Sequence, residues 1–291
     1  MSTISRPAPV THRYPVNGID LAVHQWEGPA EAVPLIFAHA TGFHGRVFDA
    51  IIEHFPAHPA YAIDLRGHGQ SGGGEIDDWR IVASDVAGFL DQLGIRGAVG
   101  IGHSMGAHTL MQVAADHPNA FKRLISFDPV ILAPDDYARG LTAFTPENRH
   151  PTSRRKRDFT SPEEMMERFR TRDPYSLFAP RVFEDYCRYG LVPAPSGTGY
   201  ELACAPETEA SVYESSRSNA GIIEAVRRID IPVLVVRALH TTSFDFKSSP
   251  TWPDLASTMP QGTDLYRPDR THFHPFEDPE DAARIIADWI G

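Results

Sequence analysis

The sequence has little cysteine, no long apolar run and no excess of positive charge, and each of these shortages excludes a class of protein. Only Cys187 and Cys204 occur in 291 residues, which is too few for a disulfide framework. We interpret both as reduced thiols, and one bridge between them stays open. No stretch reaches the roughly 18 uninterrupted apolar residues of a membrane span, and the first residues lack the apolar core of a signal peptide. We therefore expect a cytoplasmic protein.

The shortage of positive charge indicates which kinds of partner the protein does not bind. The chain has 27 basic and 38 acidic residues and a formal net charge of −11. Surfaces that bind nucleic acid or anionic lipid are basic, so the balance predicts neither partner. The one basic stretch, SRRKRD at 153–158, is short and typical of a solvated helix face. We expect a small-molecule substrate, and a homodimer stays open.

Strand-like and helix-like segments alternate along most of the chain. Buried strands are predicted at 19–26, 33–39, 60–64, 97–103, 122–128 and 231–239, with a weaker one at 262–268. Helices are predicted between them, for example at 45–55, at 81–94 and at the end of the chain. Such alternation predicts an α/β fold with a doubly wound, mostly parallel sheet.

The alternation is interrupted once. From about 133 to about 220 the sequence has helical segments such as SPEEMMERFRTR and RVFEDYCRYG, separated by loops with proline and glycine. We therefore expect a core formed by 1–132 and 221–291, and an inserted helical cap at 133–220.

A serine between two glycines is the first candidate for chemistry. Ser104 lies in GHSMG, between the predicted strand 97–103 and a helix. Flanking glycines permit the tight strand–turn–helix that holds a nucleophilic serine at the carboxyl edge of a sheet. The alternative is a serine that only caps the helix. The strand-to-helix context favours the nucleophile.

A serine hydroxyl needs a base, and the base needs a group that orients it. His272 follows the last strand-like segment and precedes the last helix, and His274 is its rival. A metal pair formed by these histidines lacks a third ligand, so we predict no metal and no cofactor. Asp128 directly follows the strand KRLISF, whereas Asp245 lies further out after IPVLVVRAL. We favour Asp128 as the acid, with Asp245 as the alternative.

Donors for a developing oxyanion can come from two turns. One donor is the amide N–H of Met105, directly after the serine, and the other is Thr41 in the turn HATGFHG. The alternative for this turn is an ordinary strand–helix connection.

Four motifs together resemble those of the α/β-hydrolase superfamily. They are HATGFHG (39–45), DLRGHGQSGG (64–73), GHSMG (102–106) and THFHPFEDPE (271–280). They span most of the chain in the expected order. The resemblance implies Ser104 as nucleophile, His272 as general base, and Thr41 with Met105 as the oxyanion hole. Most members carry the acid after the strand that matches IPVLVVRAL, and some subfamilies carry it one strand earlier, where Asp128 stands.

The resemblance also limits the reactions that the protein could catalyse. Haloalkane dehalogenases and epoxide hydrolases use an aspartate nucleophile, so Ser104 argues against both. We predict a serine hydrolase that cleaves a carboxylic ester of a small to medium, partly hydrophobic substrate through an acyl-enzyme. Carbon–carbon bond hydrolases, thioesterases and lactonases share the same residues. A cofactor-free dioxygenase and a non-catalytic ligand receptor also stay open. His39, His103, Met165 and Phe169 are predicted to contact the substrate.

Overall fold

An eight-stranded sheet forms the centre of the protein in a computed structural model that describes residues 6–139, 144–145, 147–241 and 247–290. The strands are β1 (Val10–Val16), β2 (Ile19–Trp26), β3 (Leu35–Ala38), β4 (Ala60–Ile63), β5 (Ala98–His103), β6 (Phe121–Phe127), β7 (Asp158–Phe159), β8 (Leu191–Pro193), β9 (Tyr200–Leu202), β10 (Val233–Ala238) and β11 (Gly262–Arg267). The helices are α1 (Asp49–Ile52), α2 (Trp79–Gln92), α3 (Met105–Asp116), α4 (Pro134–Ala138), α5 (Pro162–Phe169), α6 (Pro180–Tyr189), α7 (Pro206–Ser215), α8 (Ile222–Val226), α9 (His274–Glu277) and α10 (Pro279–Ile290).

The order of the strands in the sheet is β1-β2-β4-β3-β5-β6-β10-β11. β2 pairs antiparallel with β1 and with β4, and every other neighbouring pair is parallel. Strands β3 and β5 are buried along their whole length, as expected for the central strands of a sheet covered on both faces. The predicted α/β class with a mostly parallel sheet is confirmed.

Apolar side chains fill both faces of this sheet. One cluster contains Trp79, Leu110 and Val235, and the other contains Phe37, Phe48 and Ile286. Helix α2 begins after Asp78, whose carboxylate accepts a hydrogen bond from the amide of Arg80 at 2.9 Å. Covering both faces with helices leaves the carboxyl edge of the parallel strands as the place for a ligand.

Two expectations about local structure were wrong. The helix expected at 45–55 is a 3-10 turn (Gly45–Phe48) followed by the single turn of α1. The inserted segment 133–220 is not all helical, because β7, β9 and β8 form a three-stranded antiparallel sheet in that order. Its hairpin turn has Gly197 and Gly199 at φ values of 78° and 74°, which glycine adopts without strain. Strand β1 was also not expected.

The inserted segment is attached to the core through its last long helix. The Ser211 hydroxyl accepts a hydrogen bond from the amide of Ile76 at 2.7 Å, and Ser215 accepts one from the Trp79 indole at 3.2 Å. Among the described residues, no helix combines the length and the apolar character needed to cross a bilayer.

Candidate active site

Ser104 occupies a strained turn between β5 and α3. Its backbone has φ 56° and ψ −120°, in the left-handed half of conformational space that non-glycine residues rarely adopt. The amide of Ser104 donates to the carbonyl of Phe127 at 3.0 Å, which ties the turn to the end of β6. Strain of this kind persists only where the surrounding structure enforces it, and it is typical of functional sites.

The two flanking glycines are needed for close packing. A Cβ on Gly106 would lie 2.1 Å from the carbonyl oxygen of Ala38, and one on Gly102 would lie 2.5 Å from the Cα of Ala107. Both distances are far below van der Waals contact. The glycines therefore let α3 begin directly against β3 and β5, and Ser104 itself adopts the left-handed conformation.

His272 and Asp128 lie in line with the serine. The Nε2 atom of His272 is 3.0 Å from the Oγ of Ser104, and its Nδ1 atom is 2.6 Å from the Oδ2 of Asp128. Ser104 is 5% exposed, His272 9% and Asp128 0%. The three side chains therefore form one hydrogen-bonded chain that is largely shielded from water.

The direction of these hydrogen bonds follows from the acceptor at one end. An ionised carboxylate only accepts, so the Nδ1 of His272 carries the proton and donates it to Asp128. The neutral ring then presents an unprotonated Nε2 that accepts from the hydroxyl of Ser104. This is the connectivity in which an imidazole can remove the proton of a serine.

Asp128 is held by several donors besides His272. It directly follows β6 with φ 48°, and its amide donates to the carbonyl of Val236 at 2.8 Å. Its Oδ1 accepts from the Ser249 hydroxyl at 2.5 Å, the Ala238 amide at 3.1 Å and the Thr251 hydroxyl at 3.3 Å. The buried carboxylate is thus satisfied on both oxygens. Asp245, the alternative acid, lies outside the described residues.

The amides predicted to bind an oxyanion lie in two neighbouring turns. Met105 is the first residue of α3, and the first amides of a helix have no partner inside it. In the turn after β3, Phe43 donates to Ala40 at 3.1 Å, so the amide of Thr41 is not used to close that turn. The Thr41 hydroxyl donates to the sulfur of Met105 at 3.7 Å, which brings the two turns together.

The structure places the rings of His39 and His103 in the interior, where both bind main chain, and contact with the substrate stays a prediction for them. His39 is fully buried, accepts from the amide of Leu65 at 2.9 Å and donates to the carbonyl of Ala40 at 2.7 Å. His103 is also fully buried, and its Nε2 donates to the carbonyl of His272 at 2.8 Å. Both rings hold main chain in place, and burial lowers the pKa of His39 to about 3.

Met165 and Phe169 lie on one helix, α5, of the inserted segment. Met165 has no exposed surface, and Phe169 packs its ring 4.6 Å from that of Tyr175. Both belong to the apolar cluster that also contains Phe273, the residue after His272. They therefore contribute to the packing of the inserted segment, and direct contact with a substrate stays a prediction for them.

An aromatic group connects the inserted segment to the candidate site. Phe178 lies 5.9 Å from Phe43 and 5.8 Å from Phe273 between ring centroids, and Tyr186 lies 5.0 Å from Phe43. Phe273 is in turn 5.1 Å from the ring of His272. These rings form an apolar wall beside the histidine.

Sequence reasoning missed a buried ion pair beside the turn after β3. Arg155 and Glu209 are paired, with side chains 18% and 6% exposed. Arg155 also donates to Tyr175 at 3.1 Å and Tyr186 at 3.3 Å. A Cβ on Gly42 would lie 3.0 Å from the carboxyl carbon of Glu209, so the pair packs directly on this turn. Nothing in SRRKRD distinguished Arg155 from its exposed neighbours.

His274 is not placed to replace His272. Its ring is buried against Phe127, with the ring centroids 5.0 Å apart, and burial lowers its pKa to about 4. Among the described residues, no group of three or more His, Cys, Asp or Glu side chains converges on a position for a metal ion.

A cavity of about 620 Å³ lies away from the three side chains. Its lining includes Gly67 and Ser71 from the loop after β4, together with Tyr189 and Leu191 from the inserted segment. Neither Ser104 nor His272 lines it. We therefore locate the candidate site by the hydrogen-bonded side chains and the strained turn.

The fold and this arrangement together define an α/β protein with a serine at the turn between a central strand and its helix. The sequence profile of the alpha/beta hydrolase family matches residues 35–285. The chain belongs to this family.

Three relatives show how far the similarity extends. The lipase LipV of Mycobacterium tuberculosis is 35% identical over 115 residues, which cover 39% of this chain and 43% of the lipase. The sn-1-specific diacylglycerol lipase ABHD11 of Xenopus laevis is 32% identical over 113 residues, covering 38% of this chain and 36% of the relative. The chain thus spans less than half the length of these curated relatives. The crystal structure of E-2-(acetamidomethylene)succinate hydrolase has a TM-score of 0.76 at 21% identity, with 97% of this chain and 99% of that chain covered.

Proposed function

We propose that this protein is a serine hydrolase that cleaves a carboxylic ester of a small to medium, partly hydrophobic substrate. The observation that carries the proposal is the hydrogen-bonded series from Ser104 through His272 to Asp128, with distances of 3.0 Å and 2.6 Å. The names of the matched relatives, lipase LipV and diacylglycerol lipase, support an ester as the bond that is cleaved.

Acylation begins when Ser104 attacks the carbonyl carbon of the ester. Its proton moves to the Nε2 of His272, and the carbonyl oxygen takes up negative charge. The resulting imidazolium is stabilised by Asp128, which accepts the hydrogen bond from Nδ1 at 2.6 Å. The imidazolium then protonates the departing alkoxide, so the alcohol leaves and the acyl group stays on Ser104.

Deacylation repeats these steps with water. His272 removes a proton from a water molecule, and the resulting hydroxide attacks the acyl carbon. The proton is then returned to the Oγ of Ser104, which leaves the enzyme unchanged and releases the carboxylic acid. No other co-reactant is required.

The amides of Thr41 and Met105 are proposed to bind the oxyanion formed in both halves of the reaction. An amide donor of this kind contributes about 10²–10³ in rate. The N-terminal end of α3 adds a favourable partial positive charge at the same place. The Thr41 to Met105 contact of 3.7 Å supports a common target for the two donors.

The inserted segment is proposed to act as a cap that shapes the substrate pocket. Ser104 is 5% exposed, so a substrate reaches it only if side chains beside it move. The apolar wall formed by Phe43, Phe178, Tyr186 and Phe273 suits an uncharged, partly hydrophobic acyl or alcohol group.

The test is hydrolysis of p-nitrophenyl esters of increasing acyl length by the wild type and by Ser104→Ala. We expect a burst of p-nitrophenol from the wild type, and a loss of about 10⁴ or more in kcat for the variant. Thr109→Val is the matched control, because the Thr109 hydroxyl is buried in the first turns of α3 and has no hydrogen-bond partner among the described residues. Full activity in Ser104→Ala would rule the proposal out. Preference for thioesters or lactones over every ester would change the substrate class.

A further inference from the structure

We propose that Ser249 and Thr251 act as a hydroxyl clamp, which fixes the Asp128 carboxylate in the rotation that presents Oδ2 to His272. These residues come from the loop after β10, whereas Asp128 follows β6. The proposal rests on the proposed hydrolase function, since it assigns positioning residues to that reaction.

The contacts concentrate on one oxygen of the carboxylate. Ser249 donates to Oδ1 at 2.5 Å, and the main-chain amide of Ala238 donates to the same atom at 3.1 Å. The single hydroxyl proton of Thr251 is shared between Oδ1 at 3.3 Å and the carbonyl of Pro129 at 2.8 Å. Among the residues that the structure describes, His272 is the hydrogen-bond partner of the other oxygen, Oδ2. The donors thus distinguish two atoms that are chemically equivalent in a free carboxylate.

Because the site is buried, the difference between Oδ1 and Oδ2 affects the orientation of the Asp128 carboxylate. Asp128, Ser249 and Thr251 are all nearly inaccessible to solvent, so water cannot readily replace a missing donor. Without the Ser249 donor, Oδ1 is held by the longer contacts with Ala238 and Thr251, so the carboxylate can rotate more easily. Rotation would take Oδ2 away from the Nδ1 of His272.

The same loop also holds the histidine. The amide of His272 donates to the carbonyl of Lys247 at 2.8 Å, and the amide of Ser249 donates to the carbonyl of Leu239 at 2.8 Å. Residues 247–251 therefore contact the base through main chain and the acid through side chains. The loop after β10 thus fixes His272 and Asp128 relative to each other, although neither residue belongs to that loop.

The experiment compares Ser249→Ala, Thr251→Val and the control Ser248→Ala. Ser248 is in the same loop, but its hydroxyl bonds with the main chain of Thr241. We expect Ser249→Ala to lower kcat by about tenfold and to leave KM unchanged. A tenfold loss corresponds to the free energy that one hydrogen bond to a charged group contributes. Thr251→Val is expected to have a smaller effect in the same direction, because its contact with Oδ1 is longer. Ser248→Ala is expected to match the wild type.

A double-mutant cycle tests whether Ser249 acts through Asp128. In an Asp128→Asn background, Ser249→Ala is expected to lower kcat by much less than tenfold, because the side chain that Ser249 then holds already imposes the wrong tautomer on His272. An equal factor in both backgrounds, or a change in KM alone, overturns the clamp.

A spectroscopic measurement separates failure of the clamp from failure of the hydrolase proposal. The Nδ1 proton of His272 should give a strongly downfield NMR resonance in the wild type, which broadens through faster exchange in Ser249→Ala and stays sharp in Ser248→Ala. A sharp, unshifted resonance in Ser249→Ala overturns the clamp even if no ester is hydrolysed. An inactive wild type with the expected resonances overturns the hydrolase assignment and leaves the positioning of Asp128 supported.

Discussion

Replacement of Asp128 by asparagine is expected to reverse the hydrogen bonding of His272 without changing the shape of the site. In the wild type, Oδ1 of Asp128 faces three donors, from Ser249, Ala238 and Thr251. An asparagine keeps its carbonyl oxygen at this position, because its NH₂ group cannot accept those hydrogen bonds. The NH₂ group must then face the Nδ1 of His272, where the wild type has Oδ2.

The consequence for catalysis follows from the tautomer of the ring. An NH₂ group donates, so Nδ1 becomes the acceptor and the ring proton moves to Nε2. That atom lies 3.0 Å from the Oγ of Ser104 and can no longer accept its proton. We expect kcat to fall by about 10⁴, the cost known for an amide in this position, equivalent to about 5 kcal/mol of transition-state stabilisation.

The assay is steady-state hydrolysis of the best p-nitrophenyl ester, with the urea midpoint measured in parallel. Asp128→Ala serves as the comparison, since it removes the acceptor but imposes no wrong tautomer. We expect Asp128→Asn to retain the wild-type fold while losing activity. A fall of less than tenfold in a folded variant would show that Asp128 does not orient His272, and would direct attention to Asp245.

Two further predictions concern stability. Burial lowers the pKa of His39 to about 3 and those of His44, His68, His108 and His274 to about 4. In the unfolded chain each of these histidines binds a proton near pH 6.5, whereas in the folded protein it stays neutral at that pH. The free energy of unfolding therefore falls as the pH drops below 6.5, by about 2 kcal/mol per histidine at pH 5. Urea midpoints at pH 7.5 and pH 5 check this, and equal midpoints would contradict it. Arg155→Met should cost about 3–5 kcal/mol by leaving Glu209 buried without its partner, and Arg155→Met with Glu209→Leu should recover most of the loss. A double variant no more stable than Arg155→Met would refute this.

The parts of the fold that depend on local pattern could be predicted from the sequence. Apolar runs identified β3 and β10, and the two glycines around Ser104 identified the turn from β5 into α3. The strands β7, β8 and β9 have three residues or fewer. Strands this short show no periodicity, and β7 pairs with β9, which α5, α6 and β8 separate from it in the sequence.

The candidate site also contains residues that the sequence could predict and residues that it could not. Ser104, His272 and Asp128 could be proposed because each stands at the end of a predicted strand or before a predicted helix. The hydroxyls of Ser249 and Thr251 could not, because serine and threonine are common in loops and only the folded chain shows which carboxylate they contact. The sequence also did not show that the rings of His39 and His103 are fully buried, because burial depends on packing between distant segments.

Covalent labelling of Ser104 tests the central claim most directly. The folded protein is treated with a fluorophosphonate, digested, and the modified peptide is identified by mass spectrometry, with Ser104→Ala treated in parallel. The account predicts one adduct, on Ser104, that is absent from the variant and slow to form in Asp128→Asn. An adduct on another residue, or no adduct on folded wild-type protein, would contradict the assignment of Ser104 as the nucleophile.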